Sequence, residues 1–310
     1  MGFNIYIILS CYPLDRSWMG LTMCMIVPVT RNSRSSSFFL TMAAPPLFTQ
    51  TSQSTEAGHT IKITNNGIPF SYCHNTKSCT NELGELGRTN DPYKLLPIKL
   101  VVDGSTRINA SQAYTGGFPS SGHSALIDNH GYLYLCGCDR WQQLGLGSSN
   151  GGASGYTWKG GRLWQTQFQR ADHVIELLQR LDSNLGMKKQ PDNIKKNDNN
   201  SRRWIRDVAL GGDHTVILSS NKKDVITFGK GGEGQLGLTS KPWVSSPSKS
   251  KALSSSNPDI AAVCAFRNCS MTLDDSGQMK SSVGKCSKMR KVLELCQKRA
   301  VKSGLIDRKQ

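Results

Sequence analysis

One short motif returns four times along the chain, and this repetition constrains the fold more than any other feature. A histidine followed by Ser or Thr opens a run of apolar residues at His59, His123 and His214, and Cys269 opens a fourth run with the same offsets. A polar turn follows each run, a pattern that predicts a β-hairpin. The four starts lie 64, 91 and 55 residues apart. This spacing is typical of propellers or solenoids, whose units bury their apolar faces against one another.

Glycines recur at fixed places in these copies. Some follow a histidine by eight residues, where a tight hairpin turn requires positive φ angles. Others end the next strand or lie in a Gln-Leu-Gly-Leu loop after it. The glycines at these turn, strand-end and loop positions are Gly67, Gly131, Gly137, Gly145, Gly229 and Gly237.

With these residues the chain resembles the regulator of chromosome condensation repeat family. That family is similar in its Gly-His-[Ser/Thr] strand start, its aromatic-Gly strand end and its Gly-Gln-Leu-Gly-Leu-Gly loop. The first copy lacks the strand-end glycine, having Cys73 there, and its loop at residues 84–87 is displaced by a few residues. The fourth copy ends a strand with Gly284 but has no loop motif after it. The first and last of about four repeats are therefore degenerate.

The resemblance implies an all-β β-propeller. The family's propeller usually has seven blades, so we expect a partial or small propeller of about four blades. A closed four-bladed ring, an open fragment, a gene model lacking exons and assembly with another chain are all compatible with this count. Residues 51–286 form the predicted repeat body.

Two amphipathic helices are predicted beside the blades. Between the second and third copies, Val174, Leu178 and Leu181 fall on one helical stripe within a predicted insert at 171–203. After the last copy, Val292 and Cys296 fall on another, in a basic tail at 287–310. The first stripe indicates a helical insert, whose alternatives are a partner-docking projection and a tolerated insertion. The second indicates a C-terminal basic helix that covers the unfinished edge of the last blade. The alternative is that this helix lies on an anionic membrane or on nucleic acid.

Residues 1–50 are predicted to lie outside the repeats. Their apolar stretches are interrupted by Asp15 and Arg16, so neither stretch reaches the ~20 residues that span a bilayer. The segment is interpreted as an organelle transit peptide or as a non-native start before Met42. We expect a cytoplasmic or nuclear protein, with a mitochondrial location as the alternative.

The repeated histidines are interpreted as structural, with ring nitrogens that bond neighbouring groups. The alternative is that they converge near the axis as metal ligands. Cys269 in place of one of them is easier to accept on the structural interpretation. The repeat-structural residues are therefore His59, His123, His214, Cys269 and the six glycines given above.

Patterns for catalysis or cofactor binding are missing from the sequence. The chain has no Gly-x-x-x-x-Gly-Lys-[Ser/Thr] loop, no Gly-x-Ser-x-Gly turn and no His-Glu-x-x-His motif. Its ten cysteines include no Cys-x-x-Cys pair. We therefore expect reduced, mostly buried thiols in an intracellular protein, with a disulfide or metal role as the alternative. The chain is predicted not to be an enzyme and to have no catalytic residues, cofactor or metal site.

The formal net charge of +16 is concentrated in two segments. Residues 187–206 carry seven Lys and Arg against two Asp, a net of +5. Residues 280–310 carry ten Lys and Arg against two acids, a net of +8. Since the repeat body is close to neutral, attraction to phosphate would come from the insert and the tail. Candidate partner-binding residues there are Lys188, Lys189, Lys195, Lys196, Arg290 and Lys291.

The resemblance implies that the function is interaction. Similar proteins bind small GTPases, chromatin or other protein partners through loops on the propeller rims, and the founding member promotes nucleotide exchange on a nuclear Ran-type GTPase. We therefore predict a protein–protein interaction module that regulates a small GTPase as a guanine-nucleotide exchange factor. No exchange residue can be carried over by a matching motif. The alternative is a chromatin or nucleic-acid binding protein that acts through the basic insert and tail.

Overall fold

The computed structural model describes residues 5–7, 27–29, 46–54, 56–102, 106–107, 109–119, 121–146, 156–159, 162–183, 204–238, 242–255 and 259–307. The chain divides into two compact units, Met1–Leu47 and Phe48–Gln310. In the first unit, β1 (Ile5–Ile7) pairs antiparallel with β2 (Val27–Val29). The four repeats all lie in the second unit.

Each repeat forms one antiparallel sheet, called here blades 1 to 4. Blade 1 consists of β3 (Phe48–Gln53), β4 (His59–Thr64), β5 (Pro69–Cys73) and β6 (Leu96–Pro97). A short ladder of β7 (Val101–Val102) and β8 (Thr106–Arg107) leads to the next blade. Blade 2 consists of β9 (Ala110–Gly116), β10 (His123–Asp128), β11 (Leu133–Cys138), β12 (Tyr156–Lys159) and β13 (Arg162–Arg170).

The last two blades follow the insert. Blade 3 consists of β14 (Ile205–Leu210), β15 (His214–Ser219), β16 (Val225–Lys230) and β17 (Trp243–Lys249). Blade 4 consists of β18 (Ala262–Phe266), β19 (Cys269–Leu273) and β20 (Met279–Gly284). Two helices, α1 (Asp172–Ser183) and α2 (Met289–Lys302), complete the part of the chain that the structure describes.

The blades lie side by side in a propeller arrangement. The first strand of each blade contacts the first strand of the next, since β9 lies against β3, β14 against β9 and β18 against β14. These first strands are therefore innermost, and the later strands of each blade point outward. The prediction of an all-β propeller of about four blades with two added helices is confirmed.

Strand β10 explains why the sequence shows runs of apolar residues rather than alternation. Successive side chains of a strand point to opposite faces. Leu126 packs towards blade 1, with Ile61 and Ile63. Ala125 and Ile127 pack towards blade 3. Because an internal blade is covered on both faces, both sets of side chains must be apolar.

Helix α1 confirms the helical insert that the stripe predicts. Val174 and Leu178 are buried, as is Ile175, and the three side chains join the core between blades 2 and 3. The helix contacts β11 of blade 2 and β17 of blade 3. Helix α1 of the insert therefore packs at the junction of blades 2 and 3.

Helix α2 covers the last blade. Val263 in β18 faces blade 3, whereas Cys264 on the opposite side of the same strand packs against α2. Val292, Cys296 and Ala300 of the helix are buried in this contact. The helix thus occupies the face that a further blade would cover in a longer propeller, and the prediction that the tail covers the last blade is confirmed.

An ion pair also holds α2 in place. The guanidinium of Arg299 donates to both carboxylate oxygens of Asp207 in blade 3, at 2.9 and 2.6 Å. Asp207 is fully buried and also accepts from the backbone N–H groups of Val208 and Val263. The carboxylate therefore links β14, β18 and α2.

The prediction of reduced thiols is wrong for four cysteines. The structure joins Cys73 to Cys79 in blade 1, and it joins Cys269 to Cys286 at blade 4. Both disulfides lie in the degenerate end repeats, where thiols at strand positions find partners in the following loops. Four other cysteines are buried free thiols, as predicted: Cys136, Cys138, Cys264 and Cys296. Cys11 and Cys24 lie outside the described residues.

Candidate functional site

The repeated histidines form hydrogen bonds between blades. His59, His123 and His214 are fully buried. Each histidine bonds the hydroxyl that follows the start position of the next blade. The pairs of Nε2 and hydroxyl oxygen are His59 to Ser124 at 2.8 Å, His123 to Thr215 at 3.5 Å and His214 to Ser270 at 2.7 Å.

Each clamp hydroxyl also forms a hydrogen bond to a backbone carbonyl, and this bond shows which atom donates in the contact with histidine. Ser124, Thr215 and Ser270 each donate to a backbone carbonyl at 2.7 Å. These carbonyls belong to the glycine-rich loop of the preceding blade, at Glu85, Gln143 and Gln235 respectively. A hydroxyl has one proton and a carbonyl can only accept, so His59 and His214, whose Nδ1 atoms have no partner among the described residues, donate their Nε2–H. His123 has two acceptors within reach, Thr215 at Nε2 and, at 3.4 Å from Nδ1, the carbonyl of Ser121. We call this repeated three-membered contact the blade clamp.

The first-repeat loop at residues 84–87, displaced in sequence, occupies the same place in the clamp. Glu85 presents its carbonyl to Ser124 as Gln143 does to Thr215. Local spacing in the sequence hid this equivalence, because six extra loop residues between Cys73 and Glu85 change the offset without changing the contact.

Burial keeps the clamp histidines neutral. Desolvation lowers the pKa of His59 and His214 to about 3 and that of His123 to about 4. The positive charge that His123 would carry lowers the pKa of the other two further. A neutral imidazole matches its role as a single donor.

The strand-end glycines permit the clamp. His123 pairs with Gly137 and His214 with Gly229 across their hairpins. A Cβ on Gly137 would lie 2.6 Å from the Cα of His123, and one on Gly229 would lie 2.8 Å from the Cα of His214. Both glycines also have φ above +100°, which L side chains rarely adopt. The other predicted glycines, in turns and loops with positive φ, are Gly67, Gly131, Gly145 and Gly237. Cys269 takes the histidine place in blade 4 and pairs with Gly284.

The turns before the clamp histidines are joined into one surface. The N–H of Gly117 donates to the carbonyl of Gly211, and the N–H of Gly212 donates to the carbonyl of Arg267, both at 2.8 Å. The side chain of Arg267 then reaches Glu56 of blade 1 at 2.7 Å. This surface, called the histidine rim, includes these turns and the loops at 139–146 and 231–238. The contacts on this rim link the end blades, 1 and 4, as well as adjacent blades.

An aromatic side chain flanked by cations lies on the histidine rim. The half-buried Trp141 ring has the Arg140 guanidinium 5.6 Å and the Lys230 ammonium 5.4 Å from its centroid. Lys230 also lies 4.0 Å from Asp213. Trp and Arg are the residue types that most often dominate binding energy at protein interfaces. Sequence reasoning missed this group, although Trp141 stands directly before the Gln143 loop that it recognised.

The predicted basic residues are only partly placed. Lys188, Lys189, Lys195 and Lys196 lie outside the described residues. Arg290 and Lys291 are exposed on α2, and Arg290 forms an i,i+4 ion pair with Glu294 at 3.6 Å. Lys298 and Lys302 are exposed on the same helix. Their role in partner binding stays a prediction.

An open groove of about 520 Å³ lies between blades 1 and 2. Its lining includes Arg88, Lys99, Arg170 and Asp172. Arg88 donates to four backbone carbonyls and Arg170 pairs with Asp172 at 2.6 Å. The two guanidinium groups are thus occupied by the fold, so the groove is a weaker candidate than the histidine rim.

No helix in the described part of the chain is long and apolar enough to cross a membrane.

No protein-family model matches the chain. Among curated proteins, it is 27% identical over 180 residues to "Protein RCC2 homolog" of Danio rerio, covering 58% of this chain and 30% of that protein. It is 28% identical over 180 residues to "Protein RCC2" of Mus musculus, covering 58% of this chain and 29% of that protein. These relatives belong to the regulator of chromosome condensation family that the repeat motifs resemble. The prediction from the motifs is confirmed.

The chain spans less than a third of the length of these two relatives. Among solved structures it is similar to Prp20p from Saccharomyces cerevisiae, whose structure is described with its binding to Gsp1p and histones. The identity is 16%, the TM-score is 0.48, and the match covers 89% of this chain and 53% of that one.

Proposed function

We propose that this chain is a protein–protein interaction module that regulates a small GTPase by promoting nucleotide exchange. The observation that carries the proposal is the histidine rim, where turns from four blades meet and present Trp141 between Arg140 and Lys230. The similarity of the repeats to RCC2 proteins supports an interaction role.

Nucleotide exchange requires no bond chemistry from the module. The module must bind the nucleotide-free GTPase more tightly than the loaded form, and the difference in affinity sets how far nucleotide release is favoured. Each tenfold preference corresponds to about 1.4 kcal/mol of binding free energy. A rim held by the blade clamp suits this task, because its aromatic and cationic groups need little ordering on binding.

A nucleotide-release assay tests the proposal. A Ran-type GTPase is loaded with fluorescent GDP, and release is followed with and without the full chain. We expect catalytic amounts of the chain to accelerate release, and Trp141→Ala and Arg140→Ala to reduce the acceleration about tenfold each, as interface anchors do. Tyr93→Ala and Lys298→Ala, exposed residues elsewhere on the fold, are the matched controls. Equal rates with and without the chain for every GTPase captured from extract would refute the exchange function.

A second candidate is chromatin or nucleic-acid binding through the basic insert and tail. The observation that favours it is the division of α2 into two faces, one packed on blade 4 and the other bearing exposed Lys291, Lys298 and Lys302. Such binding should weaken steeply with salt, with a slope near 0.9 per phosphate contact on duplex DNA. Replacing the three lysines by Gln should lower that slope by about three. A salt-independent affinity would exclude this candidate.

We place this activity in the cytoplasm or nucleus. The similarity to RCC2 proteins favours this location, and none of these findings supports the mitochondrial alternative.

A further inference from the structure

Blade 1 departs from the repeat pattern at two places that lie together in the fold. Cys73 stands opposite His59, where blades 2, 3 and 4 have Gly137, Gly229 and Gly284. Glu85 stands at the clamp carbonyl, where blades 2 and 3 have glutamine. The loop between these two positions adds a third side chain, Cys79.

These three side chains form a compact buried cluster. The sulfur atoms of Cys73 and Cys79 and a carboxylate oxygen of Glu85 all lie within 4.8 Å of one another. Each residue is at most 4% exposed. Among the described residues, it is the only group of three His, Cys, Asp or Glu side chains that meets this distance.

Only one of the two carboxylate oxygens of Glu85 has a hydrogen-bond partner among the described residues. Oε1 accepts the backbone N–H of Asn81 at 3.1 Å, whereas the buried Oε2 has no hydrogen-bond partner among the described residues. A buried carboxylate oxygen without a partner costs free energy. The disulfide beside it is uncharged and cannot supply that partner.

Two thiolates and a carboxylate oxygen match the ligand set of zinc. Zn²⁺ takes Cys sulfur at about 2.3 Å and carboxylate oxygen at about 2.0–2.2 Å in a tetrahedral shell. Ligand atoms around such an ion are separated by roughly 3.3–3.8 Å. The two bonded sulfur atoms must therefore move apart on reduction, and the Glu85 oxygen already lies within 4.8 Å of both. We propose that the reduced form of Cys73, Cys79 and Glu85 is a Zn²⁺ site that alternates with the Cys73–Cys79 disulfide.

A dithiol reductant converts the disulfide form of the site into the dithiol form that binds Zn²⁺. Its two thiols give two electrons and two protons to the Cys73–Cys79 bond, and the reductant becomes a disulfide. The two protein thiols then lose their protons to solvent as Zn²⁺ binds. Oxidation reverses both steps and releases the ion.

Cobalt titration tests the site on the full chain. The protein is reduced with a dithiol, freed of the reductant under nitrogen and titrated with Co²⁺, whose thiolate charge-transfer absorption reports sulfur ligands. We expect one Co²⁺ per chain, displaced by one Zn²⁺, and no absorption from the protein in its disulfide form. Glu85→Gln, which restores the glutamine of the other repeats, should weaken binding about tenfold or more. Cys73→Ser should abolish the absorption.

The second disulfide supplies the matched control. A chain with Cys269→Ser and Cys286→Ser should bind Co²⁺ as the unmodified chain does. Circular dichroism of each variant establishes that the fold is kept, and zinc content measured by mass spectrometry gives a second readout. No Co²⁺ absorption in the reduced, folded chain would overturn the proposal. So would a Co²⁺ affinity of the Glu85→Gln or Cys73→Ser variant equal to that of the unmodified chain.

Discussion

Acidification should unfold the propeller by protonating the blade-clamp histidines. Their pKa values in the folded chain are about 3 to 4, below the ordinary value of 6.5. A group whose folded pKa is lowered contributes stability that is fully present above its unfolded pKa and is lost as the pH falls towards the folded value. Stability is therefore lost as the pH falls from about 6.5 to about 3.

The magnitude follows from these values. At pH 5 an unfolded histidine is almost fully protonated while a clamp histidine is not, which lowers the free energy of unfolding by about 2 kcal/mol relative to pH 8. Three such residues sum to about 6 kcal/mol. Total stabilities of domains are about 5–15 kcal/mol, so this loss equals the whole stability at the lower end of that range and over a third of it at the upper end.

Urea unfolding at half-unit steps from pH 8 to 5 measures the effect. The slope of the unfolding free energy against pH should approach about 4 kcal/mol per unit near pH 5, the uptake of three protons. His123→Gln should reduce that uptake by about one proton. A slope that stays near zero from pH 6.5 to 5 would refute the claim that the three histidines are buried and neutral.

Three further predictions concern stability and are measured by urea unfolding at pH 7.5. Ser124→Ala removes the partner of both His59 and the Glu85 carbonyl and should cost about 2–4 kcal/mol; a loss below about 0.5 kcal/mol would contradict the clamp. Arg299→Met leaves the buried Asp207 carboxylate without its cation and should cost about 3–5 kcal/mol, while Lys298→Met on the exposed face should cost almost nothing. Gly229→Ala forces a Cβ to within 2.6 Å of the Asp213 carbonyl and should cost about 1–3 kcal/mol. Gly232→Ala, where the nearest atom is 3.8 Å away, is its control, and equal losses would contradict the close approach.

The repeat explains how much of the fold could be predicted. Each His-Ser/Thr start, turn and strand-end glycine lies within one hairpin, so a local pattern predicts local structure. The stripes around Val174 and Val292 predicted the helices for the same reason. Their apolar residues face blade contacts in the structure.

The contacts that the sequence could not predict join residues far apart in the chain. Asp207 and Arg299 are separated by 92 residues, and no spacing rule connects an aspartate in one blade to an arginine in a distant helix. The clamp hydroxyls were present in the motif, but their donors and acceptors come from another repeat. The disulfides were missed because Cys73 and Cys269 stand at buried strand positions, where free thiols are common.

A double-mutant cycle between His214 and Ser270 tests the central claim most directly, because this pair joins blades 3 and 4 through one 2.7 Å hydrogen bond. The free energies of unfolding of the chain, His214→Phe, Ser270→Ala and the double variant give the coupling between the two side chains. The account predicts a coupling of about 1–2 kcal/mol. Additive losses, with a coupling within about 0.4 kcal/mol of zero, would contradict the claim that the repeated histidines hold one blade to the next.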